Sequence, residues 1–272
     1  MAPRKPLRSN LGWSTPNTIN VYSKNLTTEI LGYMDLAGMA FLGLTGRVAT
    51  SGEQRVLNAL LVALVEHGQT PSTISARLTY LGAPEALQGA VAAGLIGLGN
   101  VFVETIEGAA RLVQDALTGV PDGADLQPIA ERVVHDHKAR GVAMPGVGHP
   151  RHKPADPRAK RLFDVAREES IFGRHSQLML AVAAEAERQW QRVLPLNVTG
   201  AVGSIASDLG LPWQITRGLG VIGRSVGLVV HLLEETKMPI AEEIWHRVDD
   251  EVTSAQVALL HIRTGIDPEF DD

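Results

Sequence analysis

Apolar residues along this 272-residue chain recur mainly at helical spacing. The segment 51–65 is dense in leucine, valine and alanine, and Ser51 with Gln54 predicts a capping box at its start. This helix is expected to end near His67-Gly68. The same pattern predicts further helices starting at Thr70-Pro71 and at Ala83-Pro84, and over 84–99, 125–140, 157–169, 174–192, 200–209 and 214–235.

Alternation of period two, which would indicate strands, is convincing nowhere in the sequence. The best candidate for a short strand is Thr18–Tyr22 near the N-terminus. Hydrophobic residues make up 44% of the chain and aromatic residues only 4%, so the core must be aliphatic and rich in alanine. Because such a composition favours closely packed helices, the predicted fold class is all-α.

Composition also limits the function classes. A formal net charge of −5 argues against general nucleic-acid binding, and the absence of cysteine excludes disulfides and mildly favours a reducing compartment. The basic N-terminal residues are not followed by the apolar stretch of a signal peptide. Apolar runs are interrupted by charge or glycine before about 18 residues, so no membrane span is expected. We therefore expect a soluble, cytoplasmic protein.

One motif carries most of the chemistry. Met144-Pro145-Gly146-Val147-Gly148-His149 is followed by Asp156-Pro157-Arg158. The glycines let a backbone approach a ligand closely, and Asp156 with Pro157 predicts a helix start. Arg158 then lies in the first turn, where the helix dipole disfavours a cation, so it is expected to serve an external anion. Backbone donors, an imidazole and a guanidinium together suit a site that holds a carboxylate and polarises a carbonyl.

This motif resembles the citrate synthase signature, in which proline-glycine-x-glycine-histidine precedes an arginine. Other segments resemble the same family in its order and spacing: His67-Gly68, Asn197-Val198-Thr199 and Gly223-Arg224-Ser225-Val226-Gly227. In length and in the sequence of these motifs, the chain is most similar to citryl-CoA lyase and to the C-terminal part of ATP-citrate lyase.

The resemblance implies a citrate synthase-like fold with a large helical domain and an inserted small one. The large domain would comprise residues 1–103 and 216–272, and the small domain residues 104–215. It also implies a homodimer and a site in the cleft between the domains. Catalytic roles would fall to His149, His67 and Thr199; Arg158, Arg224, His67 and Asn197 would bind substrate, and Pro145, Gly146, Val147, Gly148 and Lys153 would bind coenzyme A.

Two positions depart from the family pattern. Phe102 stands where citrate synthases have a second catalytic histidine, which argues for the lyase branch. Thr199 stands where the family has its catalytic aspartate, and a hydroxyl cannot replace a carboxylate base. Glu104, beside Phe102, is an alternative source of a carboxylate, although a solvated helix residue is the simpler interpretation.

We therefore predict a lyase that splits a carboxylated 3-hydroxyacyl-CoA, with citryl-CoA giving acetyl-CoA and oxaloacetate. The thioester is the substrate, and no permanently bound cofactor or metal is implied. The alternatives are condensation in the synthase direction, or a protein that binds coenzyme A and a carboxylate with little or no turnover. A serine hydrolase based on Ser225 is disfavoured, because its Gly-x-Ser-x-Gly motif lies in a helical run. The His135–His137 and His149–His152 pairs lack the ligand set of a metal site. The acyl substrate and the direction of the reaction stay open.

Overall fold

The computed structural model describes residue 7, residues 9–149 and residues 153–264. The basic N-terminal residues 1–6 and His152, which the sequence analysis considered, lie outside them. The all-α prediction is confirmed, since helices dominate the described residues. Their bounds are α1 Leu36–Thr45, α2 Ser51–Val65, α3 Pro71–Gly82, α4 Leu87–Ile96, α5 Glu104–Leu117, α6 Gln127–Ala139, α7 Pro157–Glu168, α8 Arg174–Trp190, α9 Val198–Asp208, α10 Trp213–Glu235 and α11 Ala241–Thr264; π-helical turns span Leu26–Ile30 and Gly99–Val103.

A small antiparallel sheet precedes the helices. Its strands are β1 Gly12–Ser14, β2 Ile19–Val21 and β3 Lys24–Asn25, in the order β1-β2-β3. The register pairs Trp13 with Asn20 and Val21 with Lys24. The predicted strand within 18–22 is therefore confirmed as the central strand, whereas its two short neighbours carry too few residues to show alternation.

The chain divides into two compact units. The first unit comprises Met1–Leu64 and Asn100–Gly220, and the second comprises Val65–Gly99 and Val221–Asp272. The boundaries 1–103, 104–215 and 216–272 of the expected large and inserted domains stay a prediction.

In the first unit, α9 packs between α5, α7 and α8. Every residue from Gly200 to Ser207 is buried. Small side chains make this possible: a Cβ on Gly203 would lie 2.6 Å from the Ile106 carbonyl oxygen and 2.8 Å from the Ala110 nitrogen. The N-terminus of α9, where the candidate site lies, is therefore fixed by its backbone contact with α5.

In the second unit, α3, α4 and the C-terminal part of α10 share a core of Ala76, Ala90, Leu228 and Leu232. Gly94 allows this close approach, because a Cβ there would lie 2.8 Å from the Leu228 methyl groups. The packing fixes the rotation of α10 about its axis, and hence the direction of its polar side chains.

Five predicted helix starts are wrong by one to three residues. Helix α6 begins at Gln127 and not at residue 125, and α10 begins at Trp213 and not at residue 214. The capping box consists of Thr50 and Glu53 rather than Ser51 and Gln54: Glu53 N donates to Thr50 Oγ1 at 3.2 Å, and Thr50 N donates to a Glu53 carboxylate oxygen at 2.8 Å. Glutamate is preferred here because Arg47 also binds its carboxylate.

The other two corrections concern α4 and α9. Residues 83–86 form a turn in which Ala86 N donates to the Ala83 carbonyl, so α4 begins at Leu87 and not at Pro84. Helix α9 begins at Val198 and not at Gly200, since Asn197 is its N-cap. The α4 difference arises from a backbone hydrogen bond of the preceding turn and the α9 difference from the capping side chain of Asn197; apolar spacing reports neither.

Helix α10 is, by length and hydropathy alone, long and apolar enough to cross a bilayer. This is weak evidence for a span, because the core helices of water-soluble proteins share these features. Half of its most apolar stretch is buried against the rest of the protein, as expected of a core helix.

Candidate functional site

The glycine-rich loop of the sequence motif is pinned to the segment before α9. Gly148 N donates to the Pro195 carbonyl at 2.7 Å, and Asn197 N donates to the Gly146 carbonyl at 3.0 Å. Val147 and Leu196 form an antiparallel bridge between these bonds. The loop is therefore held in place by backbone hydrogen bonds like those between two antiparallel strands.

Gly146 is required by this contact. Its φ is +78°, and a Cβ there would lie 2.5 Å from the Gly200 Cα. Since no side chain can occupy that space, the loop backbone rests directly on the first turn of α9.

Asn197 fixes both the helix and the loop. Its Oδ1 accepts hydrogen bonds from Thr199 N at 2.9 Å, Thr199 Oγ1 at 2.7 Å and Gly200 N at 3.2 Å. Its Nδ2 donates to the Gly148 carbonyl at 2.7 Å. The amide therefore joins the N-terminus of α9 to the residue that precedes His149, while its predicted contact with substrate stays a prediction.

Asp156 is the most heavily bonded carboxylate of the site, with only 1% of its surface exposed. It caps α7 through Arg158 N at 3.0 Å, and it accepts from Arg158 Nε at 3.1 Å, Arg158 Nη2 at 2.9 Å and Val198 N at 3.0 Å. Burial alone would raise the pKa of Asp156, but the Arg158 side chain and these backbone amides hold it below its usual value. Asp156 is thus ionised and ties the start of α7 to the start of α9.

Arg158 and His149 lie together above this carboxylate. Arg158 Nη2 lies 3.5 Å from His149 Nε2, and about a quarter of the arginine side chain is exposed. The predicted N-cap and proline at the start of α7 are confirmed. Asp156 also orients the Arg158 guanidinium, and the expected contact of Arg158 with an external anion stays a prediction.

Other predicted residues of the first unit lie nearer solvent. Lys153 is exposed. Phe102 is about half exposed in the π-helical turn before α5. Glu104 lies 3.9 Å from Arg217 Nη2, so this alternative carboxylate faces a cation.

Arg224 lies in the second unit, on α10, and only 8% of its surface is exposed. Its Nε and Nη1 atoms have no hydrogen-bond acceptor among the described residues. Burial lowers the pKa of Arg224 below its usual value, and the negative charge of Glu66 opposes that shift. A buried guanidinium with unused donors is costly unless an anion binds it, so this side chain is suited to receiving a carboxylate.

His67 also lies in the second unit, two residues after the end of α2. It is exposed, and the following Gly68 has a φ of +71°. Next to it, Glu66 accepts from Gly68 N and lies 2.7 Å from His231 Nε2.

The structure thus brings part of the predicted site together. His149, Arg158, Asn197, Thr199 and the 145–148 backbone surround the start of α9 in the first unit. His67 and Arg224 belong to the second unit, and their convergence with the first group stays a prediction. Among the residues described, no three histidine, aspartate or glutamate side chains are grouped as a metal site requires.

Sequence reasoning missed the wider role of Asp156 and the charged residues around Glu66. The helix-capping pattern identified Asp156 only as an N-cap, and its bond to Val198 joins residues 42 positions apart. Glu66 could have been found because it directly precedes the predicted His67. His231 could have been found because it follows Arg224 by seven residues, which places both on one helix face.

Comparisons with known proteins identify the family and the fold. The family described as "Citrate synthase, C-terminal domain" matches residues 18–245. The solved citryl-CoA lyase of Hydrogenobacter thermophilus is 31% identical with a TM-score of 0.78, over 86% of this chain and 88% of that one. The ATP citrate lyase of Methanosaeta concilii shares the fold, with 21% identity and a TM-score of 0.71 over 87% of this chain and 40% of that one.

A probable ATP-citrate synthase of Dictyostelium discoideum is 29% identical over 194 residues. The match covers 65% of this chain and only 30% of the relative. This chain therefore corresponds to one part of that longer protein.

Proposed function

Since the chain belongs to the citrate synthase family, as its motifs predict, we propose that it cleaves a carbon–carbon bond in a carboxylated 3-hydroxyacyl-CoA. The substrate we favour is citryl-CoA, which would give acetyl-CoA and oxaloacetate. The similarity to the Hydrogenobacter thermophilus enzyme over most of both chains supports this choice.

The observation that carries the proposal is the buried guanidinium of Arg224, whose Nε and Nη1 have no acceptor in the part of the chain that the structure describes. Nε and Nη1 lie at different edges of the planar cation, and each can donate to an oxygen of an anion that enters the site. Arg158, fixed by Asp156, is proposed as the cation for another carboxylate of the substrate.

Cleavage would begin with removal of the proton from the substrate hydroxyl, for which His149 is the proposed base. The carbon–carbon bond then breaks as the hydroxyl carbon becomes the ketone of oxaloacetate. Its electron pair passes to the acetyl carbon as a thioester enolate, and a proton delivered to that carbon gives acetyl-CoA. His67 and Thr199 are proposed to assist by hydrogen bonding to the substrate or to a water.

The loop backbone at Pro145, Gly146, Val147 and Gly148, together with Lys153, is proposed to bind coenzyme A. The exposed ammonium of Lys153 is available to a phosphate. We further propose a cytoplasmic homodimer that works without a permanently bound cofactor.

One observation favours the alternative of a binding protein with little turnover. Thr199 Oγ1 donates its proton to Asn197 Oδ1, so the hydroxyl that replaces the family aspartate is engaged in capping α9. Condensation in the synthase direction would use the same groups. It is distinguished from cleavage by supplying acetyl-CoA and oxaloacetate instead of citryl-CoA.

The test is to incubate the full chain with citryl-CoA and to follow oxaloacetate by its reduction with NADH and malate dehydrogenase. The proposal expects oxaloacetate from the wild type and at least about a hundredfold loss of kcat/KM in Arg224→Met. Arg217→Met, on the same helix but paired with Glu107, is the matched control and should keep most activity. Binding of coenzyme A without release of oxaloacetate would support the binding-protein alternative instead.

A further inference from the structure

The second unit contains a network of charged side chains next to Arg224, made of Arg77, His231, Glu66, Glu234 and Glu235. Arg77 on α3 is completely buried and donates to Glu234 and Glu235 of α10. Its Nη2 also lies 3.0 Å from His231 Nδ1, and His231 Nε2 lies 2.7 Å from Glu66 Oε2. The proposed function gives none of these residues a role.

The register of α10 explains why Glu66 lies between two of its residues. Arg224, Gly227 and His231 are spaced i, i+3 and i+7 and so share one helix face. A Cβ on Gly227 would lie 1.9 Å from the Val65 carbonyl oxygen, so the end of α2 touches the α10 backbone there. Glu66 is the next residue, and its carboxylate can therefore turn towards His231 or towards Arg224.

Arg77 determines which ring nitrogen of His231 carries the proton. An arginine has donors and no acceptor, so the Nδ1 atom that faces Arg77 Nη2 must present its lone pair. The ring proton is then on Nε2, the atom that faces Glu66. Nε2 lies 2.7 Å from Glu66 Oε2, so the N–H dipole attracts the carboxylate.

Arg77 is itself fixed at its other end. Glu235, which binds it, also accepts hydrogen bonds from Ile240 N at 2.9 Å and Ala241 N at 2.8 Å, at the start of α11. The imidazole of His231, of which 8% is exposed, therefore has a defined position.

Glu66 is one of the two exposed members of the network, with 56% of its side chain accessible against 53% for Glu234. Burial would raise the pKa of Glu66, but the Gly68 amide, His231 and Arg224 together hold it below its usual value. It is thus a carboxylate close to a buried guanidinium with two unused donors, yet its hydrogen bond goes to Gly68 N.

We propose that His231 is a positioning residue that holds the Glu66 carboxylate off Arg224 and so keeps the guanidinium open to a substrate carboxylate. This inference rests on the carboxylate-binding role proposed for Arg224. Without the His231 contact, the Glu66 carboxylate would turn onto the Arg224 guanidinium. Such an internal anion competes at a high effective concentration with any dissolved acid.

The test measures binding of oxaloacetate and of citrate to the full chain by calorimetry. His231→Phe is expected to raise both dissociation constants at least about tenfold, because Glu66 then occupies Arg224. Glu66→Gln alone should bind as tightly as the wild type or more tightly, since a competing charge is removed. The double variant His231→Phe with Glu66→Gln should recover to within about threefold of the wild type.

This rescue distinguishes positioning from a structural role, which Glu66→Gln would not repair. A double variant that binds as weakly as His231→Phe would overturn the inference, as would weakened binding in Glu66→Gln. Glu234→Gln is the matched control: it removes a carboxylate that binds Arg77, and it should leave both constants unchanged. If His231→Phe does not fold, His231→Gln serves in the same cycle.

Arg224→Met separates this inference from the function on which it rests. If Arg224→Met binds both acids like the wild type, the carboxylate-binding role of Arg224 is itself wrong. If Arg224→Met abolishes binding and the double variant shows no rescue, only the role of His231 is wrong.

Discussion

At the scale of single residues, the site depends on carboxylates that orient cations. Asp156 accepts hydrogen bonds from the Arg158 guanidinium and from the Val198 amide. Glu66 lies near Arg224, but Nε and Nη1 of that arginine have no acceptor among the described residues. One arginine is thus fixed by its own counter-charge, while the other has donors to offer. This difference is the reason that we propose an orienting role for Asp156 and anion binding for Arg224.

Replacing Asp156 by asparagine should lower the free energy of unfolding by about 3 kcal/mol at pH 7, because a buried guanidinium contact loses its charge. The lowered pKa of Asp156 gives the pH dependence. Its stabilisation is complete above the unfolded value near 3.8 and is lost as the pH falls through the lower folded value. Urea unfolding of both proteins should therefore show a difference that shrinks only below about pH 4. A difference that already vanishes at pH 6 would contradict the assignment.

Restoring the family carboxylate by Thr199→Asp should raise the rate of citryl-CoA cleavage by about tenfold or more, since acid–base groups contribute about 100-fold or more. Thr199→Asn, of nearly equal size but uncharged, is the control. Equal rates in the two variants would show that position 199 does not act on the reacting atoms.

At the scale of elements, local chemistry predicted helix ends only where the signal was unambiguous. Asp156-Pro157 gave the start of α7 correctly, because capping and proline at the first position act within a few residues. The start of α4 was missed because a turn at 83–86 takes up residues whose composition suits a helix, and the start of α9 was missed because the Asn197 cap begins the helix two residues earlier.

Contacts between segments that lie far apart in the chain were not predicted from the sequence. The Gly146–Gly200 contact and the Asp156–Val198 bond each need the folded chain. The same holds for Arg77 with His231, which lie 154 positions apart. The sequence predicted the candidate residues of the site, which stay a prediction, but it did not predict these long-range contacts that hold them in place.

The corrected capping box makes a direct test at this scale. Thr50→Ala should cost about 1 kcal/mol of unfolding free energy, because Glu53 N loses its acceptor. Ser51→Ala should change it by less than about 0.5 kcal/mol. Thermal or urea unfolding measures both, and the reverse order would restore the Ser51–Gln54 assignment.

At the scale of the whole molecule, family membership links this chain to longer enzymes of which it resembles one part. The proposed homodimer has a physical basis in the second unit. Val226, Val230 and Leu233 are spaced i, i+4 and i+7 on α10, and about half of each side chain is exposed in the single chain.

Light scattering should therefore give twice the mass of one chain at micromolar concentration. Val230→Glu should shift the protein to the mass of one chain, because it buries a charge in the contact. Val193→Glu, at an equally exposed position of the first unit, should leave the mass unchanged. A wild type with the mass of one chain would refute the dimer.

The most direct measurement of the central claim is a crystal structure of the full chain with coenzyme A and oxaloacetate. The account predicts an oxaloacetate carboxylate oxygen within about 3 Å of the Arg224 guanidinium, with Glu66 still beside His231. Oxaloacetate bound elsewhere, with the Glu66 carboxylate on that guanidinium, would contradict it.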